Sequence, residues 1–508
     1  MKVNQLKIGS LLSYLQMGLS VIVSVVYTPV MLRLLGQSEY GLYSTVSSTI
    51  SMLSVLSLGF NSSYIRYFSA YKAKKDEEAI TRLNGLFLII FIAIGLVSLF
   101  CGSFLSFHLD MVFDKGLTSA EYSIARKLML MLTVNLAISF PMSVFQNIIS
   151  AHEQYVFLKL LGIFKTIVSP LVALPLLLMG YRSVAMVAVT LIVSVVVDFV
   201  YLIYAKSRLH VTFVFRNIER GIFKSLFAYT FFIFLNMIVD QVNNNLDKFL
   251  LGRYQGTLSV AVYSLGSLLY SYFILLSTAV SGVFTPRIHR LIQTIGQEEV
   301  RRQTLTDLFI KVGRIQFMVL SLVASGFVFF GKPFIYYWAG EGYEESYSVA
   351  LLLILPALVA LIQNLGIEIQ RALNKHQFRS VAYIFMAMIN VFLTIVLCQR
   401  YGAVGAALGT AISLVLMNGI VMNVYYHKRC NLDILAFWKN IFAITRGLVL
   451  PIAFGIVLTK TVEVSSLGRL VFGIAAYGLV YLLSMWIFCM NSYEKNILSK
   501  PILKILKK

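Results

Sequence analysis

Five polar residues, Asn236, Asp240, Asn243, Asn244 and Asp247, stand inside an otherwise apolar run, YTFFIFLNMIVDQVNNNLDKFLL, at residues 229–251. Wound as an α-helix at ~100° per residue, they share an arc of roughly 100°, while Phe231, Ile238 and Val242 point elsewhere. Amides and carboxylates turned into hydrocarbon are costly, so the stripe must face protein or a water-filled cavity. Asp240 lies about twelve residues into the run, near mid-bilayer at ~1.5 Å per residue, and an acid at that depth is a candidate for function. Desolvation disfavours the ionised carboxylate there, so proton exchange or cation binding is the chemistry it offers. Asp198, in another apolar run, is a second candidate of this kind. Asp247, about 10.5 Å further along the helix and beside Lys248, is expected to act at the rim. The competing reading of the stripe is a polar helix contact that only locks two helices together.

The elements that position these groups follow from composition. The 508 residues are 58% hydrophobic and 13% charged, with a mean hydropathy of +0.81, which is the composition of a polytopic membrane protein. The net charge of +21 does not imply nucleic acid, because Lys and Arg sit in short clusters between apolar runs. Cys101, Cys398, Cys430 and Cys489 lack CxxC spacing, so neither a disulfide framework nor a metal or cofactor site is indicated. The first apolar run is too long for a secretory signal and reads as an uncleaved first span.

Apolar runs fall near residues 8–32, 41–68, 84–107, 128–150, 156–179, 184–204, 225–251, 259–286, 312–337, 347–370, 380–399, 403–426, 441–459 and 467–489, predicting an all-α fold of about fourteen transmembrane helices. Alternate connections collect the cations, including Lys72, Lys74, Lys75, Arg82, Arg208, Arg216, Arg220, Lys224, Arg371, Lys375, Arg379 and the basic tail from Lys495. The other side holds few, among them Lys115, Arg126, Arg182, Arg253, Arg400 and Lys460. By the positive-inside rule both termini are cytoplasmic. Connections near 206–224 and 290–308 read as amphipathic surface helices, and no extramembrane segment is large enough to house an active site.

An internal repeat organises the chain. Leu34-Leu35-Gly36 matches Leu250-Leu251-Gly252 and, after a short insertion, Tyr43-Ser44 matches Tyr263-Ser264. At an offset of 220, Val184, Thr190 and Asp198 fall on Val404, Thr410 and Asn418. The expected organisation is therefore two pseudo-symmetric six-helix lobes, 1–205 and 225–428, joined by a cytoplasmic connector at 206–224. An extra helix pair at 429–490 and a basic cytoplasmic tail at 491–508 follow. Both lobes enter the membrane in the same direction, a parallel repeat of the kind that rocks about a substrate held between its halves.

With this repeat, the LLGQSEYGLYS turn (34–44), Arg66-Tyr67 closing the second helix, SFPMSVFQNI (139–148) in the fourth and RALNKHQF (371–378) leaving the tenth, the chain resembles the polysaccharide-unit flippases of the multidrug/oligosaccharidyl-lipid/polysaccharide exporter superfamily. The resemblance spans essentially the whole chain. It implies transport, without catalysis, of an undecaprenyl-pyrophosphate-linked oligosaccharide from the cytoplasmic to the outer leaflet of a bacterial plasma membrane. Partners implied are the lipid-linked oligosaccharide, membrane lipids, H+ or Na+ as coupling ions and a nearby polysaccharide polymerase; a monomer suffices.

A pyrophosphate within a membrane needs cations, and Arg66 and Arg287, at near-equivalent places in the second and eighth helices, are the first candidates, with Arg33 and Lys165 next. A glycan needs hydrogen-bonding groups, for which Asn61, Tyr64, Asn236, Asn243, Asn244, Gln363, Asn364 and Asn418 are the candidates, alongside Gln146, Asn147 and Asn390, and an aromatic face, which Tyr27 or Tyr270 offers. Arg446 in the thirteenth helix is placed to meet a carrier phosphate beside a lipid-tail groove or to snorkel to the interface. Rival readings are a cation-coupled multidrug antiporter of the same superfamily, which Asp240 and Asp198 would suit, and a lipid II-type flippase.

Overall fold

The structure, a computed structural model, describes residues 4–113, 117–216, 220–375, 377–461, 466–497 and 499; the side chains of 220–225, 227–229 and 232 fall outside that description, as do Lys115 and the basic tail past residue 499. Among the described residues there are helices and no strands. Eleven helices among the described residues are long and apolar enough to cross a membrane, and a twelfth span is a pair bent by 42°. One of the eleven, Gln377–Lys428, runs for 52 residues, ~78 Å at 1.5 Å per residue, against a hydrocarbon core of about 30 Å. It breaks at Gly402, whose φ of 56° and ψ of −134° are not helical, and so makes two crossings. The helix that carries the polar stripe completes fourteen.

The spans are α1 (Gln5–Leu35), α2 (Gln37–Ala73), α3 (Glu77–Phe107), α4 (Ser119–Ala151), α5 (Tyr155–Leu178) and α6 (Arg182–Ser207). Next comes α7, built from Arg220–Gln241, a π-helical turn Val242–Leu246 and Asp247–Tyr254. Then follow α8 (Thr257–Thr294), α9 (Glu298–Ala339), α10 (Ser346–Ile362 with Leu365–Ala372), α11 and α12 on either side of Gly402, α13 (Ile434–Thr461) and α14 (Leu467–Phe488). Their starts are set by side-chain caps: Asn4 accepts from Lys7 N, Asp76 from Ala79 N, Asp433 from Ala436 N, and Thr118 with Glu121 forms a capping box.

By contacts the chain divides into two compact units, Met1–Ala261 and Val262–Lys508. In the first, α7 and the start of α8 lie against α2. A β-carbon on Gly41 would overlap the Thr257 carbonyl, and one on Gly252 would overlap the Thr45 side chain. The first half of α2 permits this approach because its hydroxyls fold back onto its own helix: Thr45 Oγ1 donates to Gly41 O at 2.9 Å, Ser48 Oγ to Ser44 O at 2.7 Å and Thr49 Oγ1 to Thr45 O at 2.9 Å. In the second unit the last helix pair packs on α9, where Phe309 and Phe437 lie 4.5 Å apart and Tyr481 Oη donates to Met318 O at 2.7 Å. Arg314 of α9 is bound by Glu494 through Nε to Oε1 at 2.6 Å and Nη2 to Oε2 at 2.9 Å, so the segment after α14 is tied down by a buried fork.

Two expectations are corrected here. The repeat needs no insertion: Gly36 and Gly256, 220 residues apart, take φ values of 77° and 87° at the α1–α2 and α7–α8 turns, and Tyr43/Tyr263 and Ser44/Ser264 keep the same offset. Gly252 lies within α7 instead, retained for the close approach of Thr45. The connection after α6 is also not a surface helix over its described part. Residues 209–215 have no helical structure, Val214 N donates to Thr81 O at 3.1 Å, and Gly85 leaves room for the Val214 carbonyl. The second connection is helical, but as Thr285–Thr294 closing α8 and the first turns of α9.

Candidate functional site

Two helices of the first unit abandon α-geometry at the same level. In α2 a 3-10 turn, Leu53–Ser57, leads to Leu58 and Gly59 with φ of 51° and 74° before the helix resumes at Phe60. Alongside it α7 runs antiparallel: a Gly59 β-carbon would press on the Ile233 side chain, Ser57 Oγ lies 3.9 Å from Met237 Sδ, and Gln241 Nε2 donates to Ser54 Oγ at 3.0 Å. One residue later α7 widens into its π-turn, within which Asn245 Nδ2 donates to Gln241 Oε1 at 2.6 Å and Asn244 Nδ2 to Asp240 O at 2.8 Å. Irregular backbone at membrane depth survives only inside protein or beside water, and π-turns concentrate at functional positions.

The π-turn also decides which polar residues share a face. Asn236, Asp240, Asn243 and Asn244 are exposed, whereas Asp247 is only 3% exposed. On an unbroken α-helix Asp247 would continue the stripe; the extra residue of the π-turn rotates it away and into the packed interior beside α2. The expected rim position of Asp247 is therefore corrected to a buried one, with Lys248 its electrostatic neighbour. Four exposed polar groups on one membrane helix cannot face lipid tails, so this face meets water.

The remaining candidates separate into open and packed groups. Asn61 is exposed just past the α2 break and accepts from Asn147 Nδ2 at 2.7 Å and from Ser143 Oγ at 3.4 Å, which joins α4 to the open polar surface; Gln146 is exposed on the same helix. Arg66, Arg33 and Arg287 are exposed, and Lys165 on α5 is exposed within electrostatic reach of Asp198 on α6. Tyr64 is fully buried: its Oη donates to Asn84 Oδ1 at 2.7 Å, and Asn84 Nδ2 donates to Thr212 O at 3.1 Å. Through Asn84 it holds the extended segment after α6, and the hydroxyl expected to bond a sugar is engaged within the packed interior. In the second unit Gln363, 2% exposed at the bend of α10, donates to Val359 O at 3.0 Å; Asn418 accepts from Tyr383 Oη at 3.1 Å; and Asn390 accepts from Thr394 and Thr410 hydroxyls at 3.3 and 3.4 Å. Asn364 is half-buried, with Nδ2 3.4 and 3.3 Å from Ser277 Oγ and Ser281 Oγ. Arg446 is exposed where a 3-10 turn kinks α13.

Sequence reasoning missed three features. Gln316 is buried in α9 and donates to the Ser277 carbonyl and hydroxyl, both at 3.2 Å, making the polar partner set of the α10 bend. The Arg314–Glu494 fork was legible only as a lone arginine at the start of an apolar run. A cavity of about 450 Å³ in the second unit is lined by Leu269, Phe273, Phe327, Phe330, Ile354 and Tyr477, from α8, α9, α10 and α14; uniformly apolar helices carry no sequence signal for it. Among the described residues no cluster of three or more His, Cys, Asp or Glu could hold a metal ion.

A family model described as polysaccharide biosynthesis protein matches residues 8–292, more than half of the chain. The chain belongs to that family. Its fold is shared with solved transporter structures of low sequence identity. A lipid II flippase, MurJ, in an inward closed conformation, superposes with a TM-score of 0.70 at 17% identity, covering 94% of this chain and 98% of that one. A multidrug resistance MATE transporter of the MOP superfamily, inward-facing, gives 0.63 at 15% identity over 83% and 96%. The Vibrio cholerae MATE transporter VcmN gives 0.56 at 12% identity over 85% and 99%. No curated protein matches by sequence.

Proposed function

We propose that this polysaccharide biosynthesis family member flips an undecaprenyl-pyrophosphate-linked oligosaccharide, a repeat unit of O-antigen, capsule or exopolysaccharide, from the inner to the outer leaflet of a bacterial plasma membrane by alternating access, with both termini cytoplasmic. The observation that carries the reading is the open polar face of the first unit, where a broken α2 and a π-turned α7 present Asn61, Asn236, Asp240, Asn243 and Asn244 at membrane depth. Amides at that density suit a hydroxyl-rich cargo better than an apolar drug. The exposed guanidinium groups of Arg66 and Arg287 are the first candidates for its pyrophosphate, since a guanidinium fork matches phosphate oxygens; Arg33 and Lys165 are secondary. The apolar cavity of the second unit takes a segment of the polyprenyl chain. Asp240 is the coupling residue, its occupancy by a proton or sodium ion biasing α7. The chain works as a transporter, not as an enzyme.

The test is leaflet accessibility in proteoliposomes containing a fluorescent undecaprenyl-pyrophosphate oligosaccharide. Wild-type protein moves the glycan to the face where an impermeant glycosidase removes it, and a cationic dye does not compete. Dye extrusion without glycan movement would establish the antiporter reading instead, and movement of neither would reduce the polar face to helix packing.

A further inference from the structure

Arg126 runs against the charge pattern of the chain, as one of the few cations on the sparse side, and its surroundings are built. It lies seven residues along α4, ~10 Å from the helix start. Gly102 and Gly95 of α3 face Thr133 and Ala137 of α4, so the two helices are antiparallel and Arg126 comes opposite the last turn of α3. There the guanidinium carbon is 5.4 Å from the centroid of Phe107 and 5.3 Å from that of Tyr122. Two rings orient one planar cation, a stacking that arginine accepts and lysine does not reproduce.

Among the described residues the cation has no ion-pair partner, and its Nε is buried without a hydrogen-bond partner. The described acid nearest to it in sequence, Glu121, is occupied: Oε1 accepts from Ser38 Oγ at 2.5 Å, and Oε2 accepts from Thr118 N at 3.0 Å and Thr118 Oγ1 at 2.8 Å. Below the guanidinium, Phe107, Phe104 and Phe100 of α3 follow one another at helical spacing and are 58%, 43% and 74% exposed, a ring-lined track toward the membrane interior. A guanidinium held by two rings, without an ion pair among the described residues and with an apolar track beneath it, has the shape of a lipid site: a phosphodiester oxygen pair for the fork and an acyl chain for the rings.

We infer that Arg126, Phe107 and Tyr122 form a binding site for the phosphodiester of an anionic glycerophospholipid in the leaflet at this end of the α3–α4 pair. The site is separate from the polar face proposed for the cargo and stands whether or not that cargo is a glycan.

Native mass spectrometry of the full chain, titrated with phosphatidylglycerol, phosphatidylcholine or inorganic phosphate, tests the inference. Wild-type protein should retain phosphatidylglycerol over phosphatidylcholine. Arg126→Gln should lose that retention about tenfold, as expected for removing a charge-assisted pair, and Arg126→Lys should fall between because the ring stacking is lost. If Arg126→Gln does not fold, the same comparison is made with Arg126→Lys and with Tyr122→Leu, each of which should weaken retention. Equal retention by wild type and the folded variants would overturn the site. Displacement of phosphatidylglycerol by an equal concentration of inorganic phosphate would show a free-anion site and also overturn it.

Discussion

Removing the carboxylate of Glu494 strands a buried cation. The Arg314 and Glu494 side chains are only 10% and 4% exposed, and the guanidinium makes three bonds: two to the carboxylate at 2.6 and 2.9 Å and one from Nη2 to the Cys489 carbonyl at 2.9 Å. Glu494→Ala leaves the last bond alone, and an uncompensated buried charge costs about 3–5 kcal/mol. Glu494→Gln retains one acceptor and turns an amide donor toward the guanidinium, so its cost should be lower, about 1.5–3 kcal/mol. Replacing both partners by apolar residues of similar volume, Arg314→Met with Glu494→Leu, removes the charge and its desolvation together and should come within about 1 kcal/mol of wild type. Glu494 also accepts from Asn491 N at 2.9 Å, so the alanine variant should free the segment after α14 to proteolysis while the double variant frees it less. Denaturation in detergent micelles compares the four proteins directly. If the double variant is as unstable as Glu494→Ala, the stranded charge is not the source of the loss and the reasoning fails.

Three further outcomes follow from the placements above. Arg66→Lys and Arg287→Lys should each impair glycan export nearly as much as the alanine variants at equal protein level, because a point charge lacks the bidentate fork; intact export after charge removal at both would place the pyrophosphate elsewhere. In a cysteine-free background, cysteine at exposed Lys72 should react with an impermeant maleimide only from the cytoplasmic side and cysteine at exposed Asp110 only from the other, as the cation asymmetry requires. Burial pushes the Cys430 thiol, in the α12–α13 connection, up to about 11, with Lys375 opposing. Its neutral form is favoured by the fold, a contribution present below its ordinary value near 9 and lost as pH rises through about 11, so maleimide labelling should be slow at pH 8 and accelerate only above pH 10.

The fourteen crossings were legible because each is an apolar run bounded by cations, and no tertiary information is needed to read a hydrocarbon thickness in residues. Family resemblance was legible because the residue types of the LLGQSEYGLYS turn are each required by a specific contact or backbone angle, as at Glu39, Gly41 and Gly36. Glu39 accepts from Ser183 N at 2.9 Å and Arg182 Nη1 at 3.2 Å, Gly41 admits the Thr257 carbonyl, and Gly36 takes a positive φ. The fate of Asp247 was not legible, since a π-turn arises from packing against the α2 break and periodicity assumes regular winding. The engagement of the Tyr64 hydroxyl was not legible for a similar reason: its partner Asn84 lies on a different helix, and pairing at that distance leaves no mark in spacing. The open amides Asn61, Asn236, Asn243 and Asn244 were found because a polar residue in an apolar run already states that something other than lipid must face it.

The central claim is that the open face of α7 carries cargo under the control of Asp240, and transport by Asp240→Asn proteoliposomes across imposed proton and sodium gradients tests it most directly. The substitution keeps the shape of the side chain and most of its hydrogen-bonding capacity while abolishing ionisation. Wild-type protein should flip the labelled glycan faster under one of the two gradients, and the variant should bind the glycan but flip it at the rate of protein-free vesicles. Normal flipping by the variant, together with a wild type indifferent to both gradients, would contradict the account and leave Asp240 as a packing residue of a passive flippase.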